Sequence, residues 1–360
     1  MNQGDKILVT GAGGLIGSAV VQYYLRQGYE NINGVDNNSR SEFFGPKGDT
    51  TKAIEALGTR TQFRNFNIDI ANRISVRELF VKHGPFKLVV HTAAQPSHDL
   101  AAKIPFRDWD VNANGTFNLL EATRQFSPEA VFVFTSTNKV YGDNPNLVPL
   151  VEKGKRFDFD LSKQSRGITS EGVTEDMSLD NTTHSLFGVS KAAADLAVQE
   201  YGKYFGLKTG VFRGGCLTGP QHAAVELHGF LSYIVGCAVN GSPYTIFGYK
   251  GKQVRDQIHS ADVARAIDAF AQNPRAGEVY NLGGGRQNAV SMIETIEMLE
   301  RDFGRKLKWT YDEKNRVGDH ICYYTDMSKF KRDYPGWKMM KGLTEIVAEI
   351  VEEKERKRQE

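Results

Sequence analysis

The sequence predicts an α/β protein in which a doubly wound parallel sheet is followed by a smaller C-terminal substrate-binding domain. In the first half, short apolar segments alternate with amphipathic helical patterns, which is typical of a parallel sheet covered on both faces. The 360 residues exceed the usual size of a single domain. Beyond Gly219, short helices mix with short strands, so we expect a second domain laid across the edge of the sheet.

The composition limits the class of partner. The 45 Lys and Arg residues against 43 Asp and Glu leave a net charge of +2, which fits a small charged metabolite better than nucleic acid or an anionic membrane. The cysteines, Cys216, Cys237 and Cys322, are widely spaced and odd in number, so we expect neither a disulfide framework nor a metal site. The N-terminus runs directly into an apolar strand and no apolar run approaches the ~20 residues of a membrane span, so we expect a cytoplasmic protein.

The first element predicts a phosphate-binding turn. A short apolar strand is followed by a glycine at every third position as the chain enters a helix. Gly11 allows the tight turn, Gly14 lets backbone N–H groups approach a pyrophosphate, and Gly17 lets the helix pack on the strand. The helix N-terminus adds partial positive charge. This pattern is typical of a Rossmann-type dinucleotide site, with Leu15 and Ile16 beside the cofactor in the first helical turn.

A carboxylate follows the second predicted strand. The apolar segment 32–35 ends at Asp36, about 20 residues past the last glycine, where a carboxylate accepts hydrogen bonds from an adenosine ribose. The polar segment 37–49, which begins with Asn37, is expected to form a loop over the cofactor.

The third and fourth strands are predicted at 62–68 and 88–91. The third strand leads to Asp69, which either accepts from an adenine amino group or caps the helix that follows. Small residues follow the fourth strand and allow a cofactor to lie against the backbone. The cofactor contacts expected along this part of the edge are Asp69, Ile70, Ala93 and Ala94.

The fifth strand, predicted at 130–134, brings the polar run 135–139 to the carboxyl edge of the sheet, where ligands bind in open α/β sheets. The next stretch, 144–183, is polar and has no sustained period. Since long segments without regular structure tend to be lids or binding segments, we expect it to fold over the substrate. A helix at 184–204 and a strand at 209–213 then return to the sheet.

These elements suggest three parts of the chain. Residues 1–183 form the dinucleotide-binding domain, to which 184–215 and parts of 240–282 return. Residues 216–350 mainly bind the substrate. Residues 351–360 form a charged tail, to which we attach no function.

Four motifs carry a resemblance to a known family. They are TGAGGLIG at 10–17, FTSTNKVYGD at 134–143, GKQVRD at 251–256 and RVGDH at 316–320. Through them nearly the whole chain resembles the extended short-chain dehydrogenases/reductases of the nucleotide-sugar epimerase and dehydratase group. Within that group, the second and third motifs most resemble the CDP-sugar 2-epimerases of the CDP-paratose (CDP-tyvelose) type.

The resemblance implies an NAD-dependent isomerase. A carbon that bears a hydroxyl and an unactivated hydrogen is inverted when hydride passes to a bound nicotinamide, the keto sugar turns, and hydride returns to its other face. The carboxylate of Asp36 would repel a 2′-phosphate and so favours NAD over NADP, whereas Arg40 argues weakly for NADP. The resemblance also implies a homodimer or homotetramer.

The resemblance assigns residues to the reaction and to the substrate. It places Thr137 beside the reacting hydroxyl, with Asn138 and Lys139 next to it and Lys191 on the nicotinamide ribose. Family dehydratases carry an Asp and a Glu at the positions of Asn138 and Lys139, so we place dehydration below epimerisation. Arginines bind pyrophosphates through two parallel hydrogen bonds. The implied substrate contacts, with Arg255 and Arg316 on the pyrophosphate, are Gln95, Ser136, Thr137, Arg213, Arg255, Arg316 and Asp319.

The chain departs from the family motif at Phe187. The motif is Tyr, three residues, Lys, and its tyrosine takes and returns the hydroxyl proton. Here the segment HSLFGVSK keeps Lys191 and has Phe187 where the tyrosine is expected. Either the change was engineered to trap a substrate, or this branch uses another proton carrier, or the protein binds without turnover. Tyr141, His184 and Cys216 are candidate carriers, and each also has a structural explanation.

The favoured interpretation is an NAD-dependent CDP-sugar 2-epimerase. One alternative is a UDP- or GDP-sugar epimerase that acts at another carbon. The other is a catalytically silent protein that binds NAD and a sugar nucleotide.

Overall fold

Seven parallel strands form the central sheet. They are β1 (Lys6–Thr10), β2 (Asn31–Val35), β3 (Phe63–Phe66), β4 (Leu88–His91), β5 (Val131–Thr137), β6 (Lys208–Gly214) and β7 (Glu278–Leu282). The computed structural model describes residues 1–221, 229–315 and 318–359, and the sheet order within them is β7-β6-β5-β4-β1-β2-β3. The chain reverses direction across the sheet at β1, because β2 and β3 lie on one side of it and β4 on the other. At such a switch point the carboxyl ends of neighbouring strands leave a crevice.

Helices cover both faces of the sheet, and each face has its own core. Val9 packs with the helices Leu15–Arg26 and Ser260–Gln272. Its neighbour Leu8 points to the other face and packs with the long helix Leu186–Phe205. The predicted doubly wound parallel sheet is therefore confirmed. The remaining α-helices of the first 207 residues are Ser39–Phe44, Thr51–Gly58, Arg73–His83, His98–Ala101, Pro105–Trp109, Gly115–Phe126 and Asn144–Leu147.

A smaller lobe has a core of its own. Three helices, Phe230–Asn240, Met292–Phe303 and Leu343–Gln359, pack together there, and the last of them contains most of the charged tail. The strands Cys216–Thr218, Val254–His259, Ala289–Ser291 and Cys322–Tyr323 form a small sheet, Pro243–Phe247 pairs with Lys308–Asp312, and the short helix Ser328–Asp333 follows. Among the helices in the described ranges, none is both long and apolar enough to cross a membrane.

No residue of the segment 144–183 lines the crevice at the carboxyl ends of the strands, so the prediction of a lid was wrong. It forms two hairpins, Leu150–Lys153 with Arg156–Phe159 and Ile168–Thr169 with Gly172–Val173, after its short helix. Its polar groups form hydrogen bonds with the smaller lobe and with the end of the sheet. Arg156 donates to both carboxylate oxygens of Glu294 at 2.7 and 2.6 Å, Arg286 donates to Asp158 at 2.7 Å, and the N–H of Val173 donates to Tyr324 O at 2.8 Å.

Candidate functional site

The carboxyl ends of the strands open into a single cleft of about 1300 Å³ that both lobes line. Two parts of it are distinguished below. The dinucleotide end is lined by residues 11 and 13–16 together with Asp36 and Asp69, and the reacting end is lined by Thr137, Asn138, Lys139, Phe187 and Lys191. The polar run at the end of β5 thus meets the start of the helix Leu186–Phe205.

The glycine turn between β1 and the first helix has no room for side chains. Gly11 has φ +69°, and a Cβ there would lie 2.8 Å from Ala93 N. A Cβ on Gly17 would clash with the carbonyl oxygen of Gly11. No side chain caps the helix N-terminus at Gly14, so its first N–H groups and their partial positive charge are available to an anion. The turn can therefore hold a phosphate against bare backbone.

Asp36 is fixed at the end of β2 by three hydrogen bonds. Its carboxylate accepts from the N–H of Gly13 at 2.8 Å, the N–H of Asn38 at 2.9 Å and the hydroxyl of Thr50 at 3.0 Å. Two of these bonds go to Oδ1 and one to Oδ2, so Oδ2 keeps a lone pair that can accept from a ribose. The sequence analysis did not predict that Gly13 and Thr50 bind Asp36. The only available signal was the doubled glycine GG, which includes Gly13.

The segment after Asp36 is not the loop that was predicted. It forms the helix Ser39–Phe44 and a 3₁₀ turn, Gly45–Gly48, and still lines the cleft through Asn37 and Arg40. Burial lowers the pKa of the Arg40 guanidinium, and the nearby Asp36 carboxylate opposes that shift. One cation thus lies in the same wall as the carboxylate expected to bind ribose.

Asp69 lines the cleft together with Ile70, Ala93 and Ala94. It does not cap the following helix, because Asn72 does so by accepting from the N–H groups at 74 and 75. Instead, Asp69 Oδ2 lies 2.8 Å from Arg107 Nη1. Arg107 also lines the cleft, and no sequence motif pointed to it.

The reacting end joins three separate parts of the chain. The hydroxyl of Thr137 accepts from the N–H of Lys139 at 3.2 Å, which fixes the turn after β5. The ammonium of Lys139 donates to Gly318 O at 2.6 Å and lies 3.7 Å from Asp319 Oδ1. Asn138 is largely buried beside them. The polar run after β5 is therefore tied to the loop at 318–319.

Phe187 and Lys191 lie one helical turn apart on the long helix, which Ser185 caps. The side chain of Phe187 lines the cleft and has no polar atom. Lys191 is 3% exposed, its Nζ donates to Thr135 O at 2.7 Å, and it lies 4.0 Å from the centre of the Phe134 ring. Burial lowers the pKa of Lys191 to about 7, with the carboxylates of Asp195 and Asp108 opposing that shift.

The three candidate proton carriers named from the sequence are poorly placed. Tyr141 is fully buried outside the cleft wall, where its hydroxyl donates to Asn281 Oδ1 at 2.6 Å and burial raises its pKa to about 12. His184 Nε2 lies 2.8 Å from Val140 O, and His184 does not line the cleft. Cys216 does line the cleft, but burial raises the pKa of its thiol to about 11.

Two predicted substrate contacts lie behind the wall, which corrects their assignment. Gln95 is fully buried and donates to Asp108 Oδ1 at 2.7 Å. Arg213 makes a two-pronged pair with Asp195, at 3.0 Å for each hydrogen bond. Neither side chain lines the cleft, because a partner carboxylate from another turn of chain holds each of them in the framework. Ser136 reaches the cleft, while its hydroxyl donates to Asp195 at 2.7 Å.

The wall of the smaller lobe carries the remaining predicted substrate residues. Arg255 and Asp319 both line the cleft, with Arg255 Nη2 3.7 Å from Asp319 Oδ1. One other donor nitrogen of Arg255 bonds to Val254 O at 2.8 Å. Arg316 lies outside the described residues. The Arg255 guanidinium of this wall and the Lys139 ammonium after β5 therefore lie near the same carboxylate, Asp319.

Comparisons with known proteins show the family of this chain. The family model described as "NAD dependent epimerase/dehydratase family" matches residues 7–283. The CDP-paratose 2-epimerase of Salmonella typhi is 34% identical over 331 residues, which cover 90% of this chain and 92% of that protein.

Two solved structures have the same fold over almost the whole chain. The UDP-glucose 4-epimerase of Thermotoga maritima with UDP-glucose is 26% identical, with a TM-score of 0.77 and coverage of 99% of this chain and 100% of that one. The UDP-glucose 4-epimerase of Thermus thermophilus in complex with NAD is 25% identical, with a TM-score of 0.75 and coverage of 97% and 98%.

Proposed function

This chain belongs to the NAD dependent epimerase/dehydratase family of nucleotide-sugar enzymes, and from that premise we propose that it epimerises a nucleotide-diphosphate sugar, with a CDP-sugar as the favoured substrate and C2 as the inverted carbon. The observation that carries the proposal is the single cleft in which a glycine turn and Asp36 lie at one end and Thr137, Asn138 and Lys139 lie at the other.

The cofactor is NAD, as predicted. The family description names it, and a solved relative contains it. The residues of this chain fit the group: Gly11 and Gly14 line the cleft beside a helix N-terminus that no side chain caps, which suits a pyrophosphate, and Asp36 has acceptor capacity for a ribose. Bound NAD supplies an acceptor for hydride and a donor that returns it. The chain's own task is then to hold the sugar, exclude water and move one proton.

Epimerisation is favoured over dehydration by the residues after Thr137. Expelling water from a sugar requires a general acid and a base at adjacent carbons. Asn138 is an amide, and the Lys139 ammonium is bound to Gly318 O and lies near Asp319. Neither residue can replace a carboxylic acid. The hydroxyl of Thr137, by contrast, suits a hydrogen bond to the reacting hydroxyl.

The nucleotide end of the substrate is assigned to the smaller lobe. Arg255 places a guanidinium on its wall of the cleft, and the Lys139 ammonium, which follows β5, lies near the same carboxylate of Asp319. A diphosphate binds such positive groups strongly. The preference for cytidine and for C2 is supported by the similarity to the CDP-paratose 2-epimerase of Salmonella typhi. A UDP- or GDP-sugar epimerase acting at another carbon is the alternative within the same chemistry.

A catalytically silent binding protein is the second candidate function, because Phe187 lacks the phenol oxygen of the family motif. One experiment addresses both candidates. The purified protein is denatured, and the released nucleotides are identified by mass spectrometry. Native protein is then incubated in separate samples with CDP-paratose, a UDP-sugar and a GDP-sugar, with binding measured by calorimetry and epimer formation followed by NMR.

Release of NAD together with epimer formation supports the proposed function. Released NAD with binding but no conversion of CDP-, UDP- or GDP-sugars supports the silent binding protein. Conversion of a UDP- or GDP-sugar alone would contradict the assignment to cytidine.

A further inference from the structure

The proposed reaction needs a group that takes the proton from a sugar hydroxyl and returns it, and Phe187 cannot do so. The group must lie on the cleft wall at the reacting end, where the end of β5 meets the long helix. Tyr141 and His184 fail this condition, since neither lines the cleft. Cys216 lines the cleft, but burial raises the pKa of its thiol, so it exchanges a proton poorly at neutral pH.

We propose that Lys191 is itself the proton carrier of this chain, an inference that rests on the proposed function. In the oxidising half, its neutral amine forms an N–H bond as the hydroxyl O–H bond breaks. The carbon becomes a carbonyl as its C–H electron pair leaves as hydride to the bound nicotinamide. In the reducing half, hydride returns to the opposite face of the keto sugar and the ammonium gives its proton back to the oxygen. Atoms, electrons and protons balance over one turnover.

The position of Lys191 supports this role. It lies one helical turn after Phe187, and both side chains line the cleft. Its Nζ is 2.7 Å from the carbonyl oxygen of Thr135, which lies two residues before Thr137 on β5. The amine therefore stands at the strand end where the reacting hydroxyl is assigned, with Phe187 providing an apolar neighbour instead of a competing phenol.

The surroundings of Lys191 disfavour a permanent charge. Among the described residues, Nζ donates its hydrogen bond to Thr135 O, and an amide carbonyl is a weaker partner for an ammonium than a carboxylate is. The face of the Phe134 ring, whose centre is 4.0 Å from Nζ, attracts an ammonium and so opposes this effect. Lys139, the other lysine at this end, differs because its ammonium lies near the carboxylate of Asp319.

Three titratable groups face Lys191 from the elements packed around it. On its own helix, Asp195 is already paired with Arg213 and Ser136. On the helix Pro105–Trp109, Asp108 accepts from Ser190 at 2.6 Å, and burial raises its pKa. On β4, burial holds the pKa of His91 well below its usual value, so it adds no charge near neutral pH. Burial thus outweighs the two committed carboxylates and gives Lys191 a pKa of about 7.

The first test measures the titration of Lys191 directly and needs no sugar nucleotide. Protein labelled with ¹³C at lysine Cε is titrated by NMR, and the Lys191 signal is assigned as the one lost in Lys191→Met. Lys203→Met, an exposed lysine on the same helix, is the matched control and must leave that signal in place. We expect a midpoint between about 7 and 8. A midpoint above about 9.5, near that of an ordinary lysine, overturns the proposal.

The second test separates carrying a proton from holding the cofactor. Lys191→Arg keeps a cation and donors but cannot lose its proton near neutral pH. We expect it to retain NAD, measured as nucleotide released on denaturation, and to lose turnover by about 10²-fold or more. In the Phe187→Tyr background a phenol is available, so we expect the double variant to regain turnover by about tenfold or more over Lys191→Arg. Turnover of Lys191→Arg within about threefold of the native protein overturns the proposal.

The two proposals fail in different ways. A Lys191 midpoint near 7 with no conversion of any CDP-, UDP- or GDP-sugar contradicts the proposed function. A midpoint above about 9.5 with ordinary turnover contradicts the role of Lys191 and leaves the proposed function standing.

Discussion

The two ends of the cleft differ in how far along the chain their contacts reach. At the dinucleotide end, Asp36 bonds to groups between 2 and 23 residues away. At the reacting end, Lys139 bonds to Gly318, 179 residues away, and Lys191 bonds to Thr135, 56 residues away. The first end is therefore built by one strand–turn–helix unit and its neighbours, whereas the second needs a distant helix and is completed by a contact from the smaller lobe.

The largest expected effect tests whether the dinucleotide end depends on bare backbone. A Cβ on Gly17 would clash with Gly11 O, so Gly17→Ala is expected to destabilise the fold by about 3 kcal/mol, the upper part of the range for overpacking. Gly58, in a helix with open space around it, is the matched control. Its change to Ala is expected to stay within about 1 kcal/mol, in the stabilising direction. Urea unfolding measures both, and equal effects would contradict the role given to Gly17.

The pH dependence of stability tests the burial of Lys191. Its native pKa of about 7 lies below the ordinary value of 10.5, so the unfolded chain binds more protons between those pH values and native stability rises with pH there. Lys191→Met removes this dependence. Its stability relative to the native protein is expected to fall by ~2 kcal/mol between about pH 7 and pH 9. Lys203→Met serves as the control for loss of one ammonium, and a constant difference for Lys191→Met would show that Lys191 stays charged.

Replacing Arg255 tests whether the smaller lobe binds the substrate and not NAD. Loss of a charge-assisted hydrogen-bonding group is expected to weaken CDP binding by ~2 kcal/mol, or about 30-fold, in Arg255→Ala. NAD binding should remain nearly unchanged. Calorimetric titration with each nucleotide checks this, with the exposed Arg301→Ala as control. Weaker NAD binding with unchanged CDP binding would show that Arg255 contacts the cofactor, which contradicts its assignment to the substrate.

Asp36 gives the smallest expected effect. NAD is expected to bind more tightly than NADP, and Asp36→Ala should narrow that gap by ~1 kcal/mol because it removes an acceptor and a repulsive charge. Asp36→Asn separates the two causes, since it removes the charge and keeps one acceptor. Equal affinity of the native protein for NAD and NADP, measured by fluorescence titration, would contradict the assignment.

The same difference in contact range explains what could be predicted from the sequence. The glycines and Asp36 follow strand ends at fixed spacing, and Phe187 and Lys191 lie in a single motif, so their places were predictable. Gln95 and Arg213 were misassigned because Asp108 and Asp195, which bind them, are not neighbours in any motif. The segment 144–183 was predicted to be a lid because a polar composition is equally compatible with a lid and with a segment that packs against the smaller lobe. Only its distant partners distinguish the two, and one of them, Glu294, lies 138 residues from Arg156.

The position of β7 has a consequence for the protein during its synthesis. Strands β1 to β6 can pair as they leave the ribosome, but the outer edge of β6 is covered only by Glu278–Leu282, which pairs with residues 210–214. Because the ribosome adds roughly 5–20 residues per second, the N–H and C=O groups of that edge stay unpaired for several seconds. An unpaired edge invites pairing with another nascent chain. Newly made protein is therefore most vulnerable to aggregation in this interval, and truncation before residue 278 would make the interval permanent.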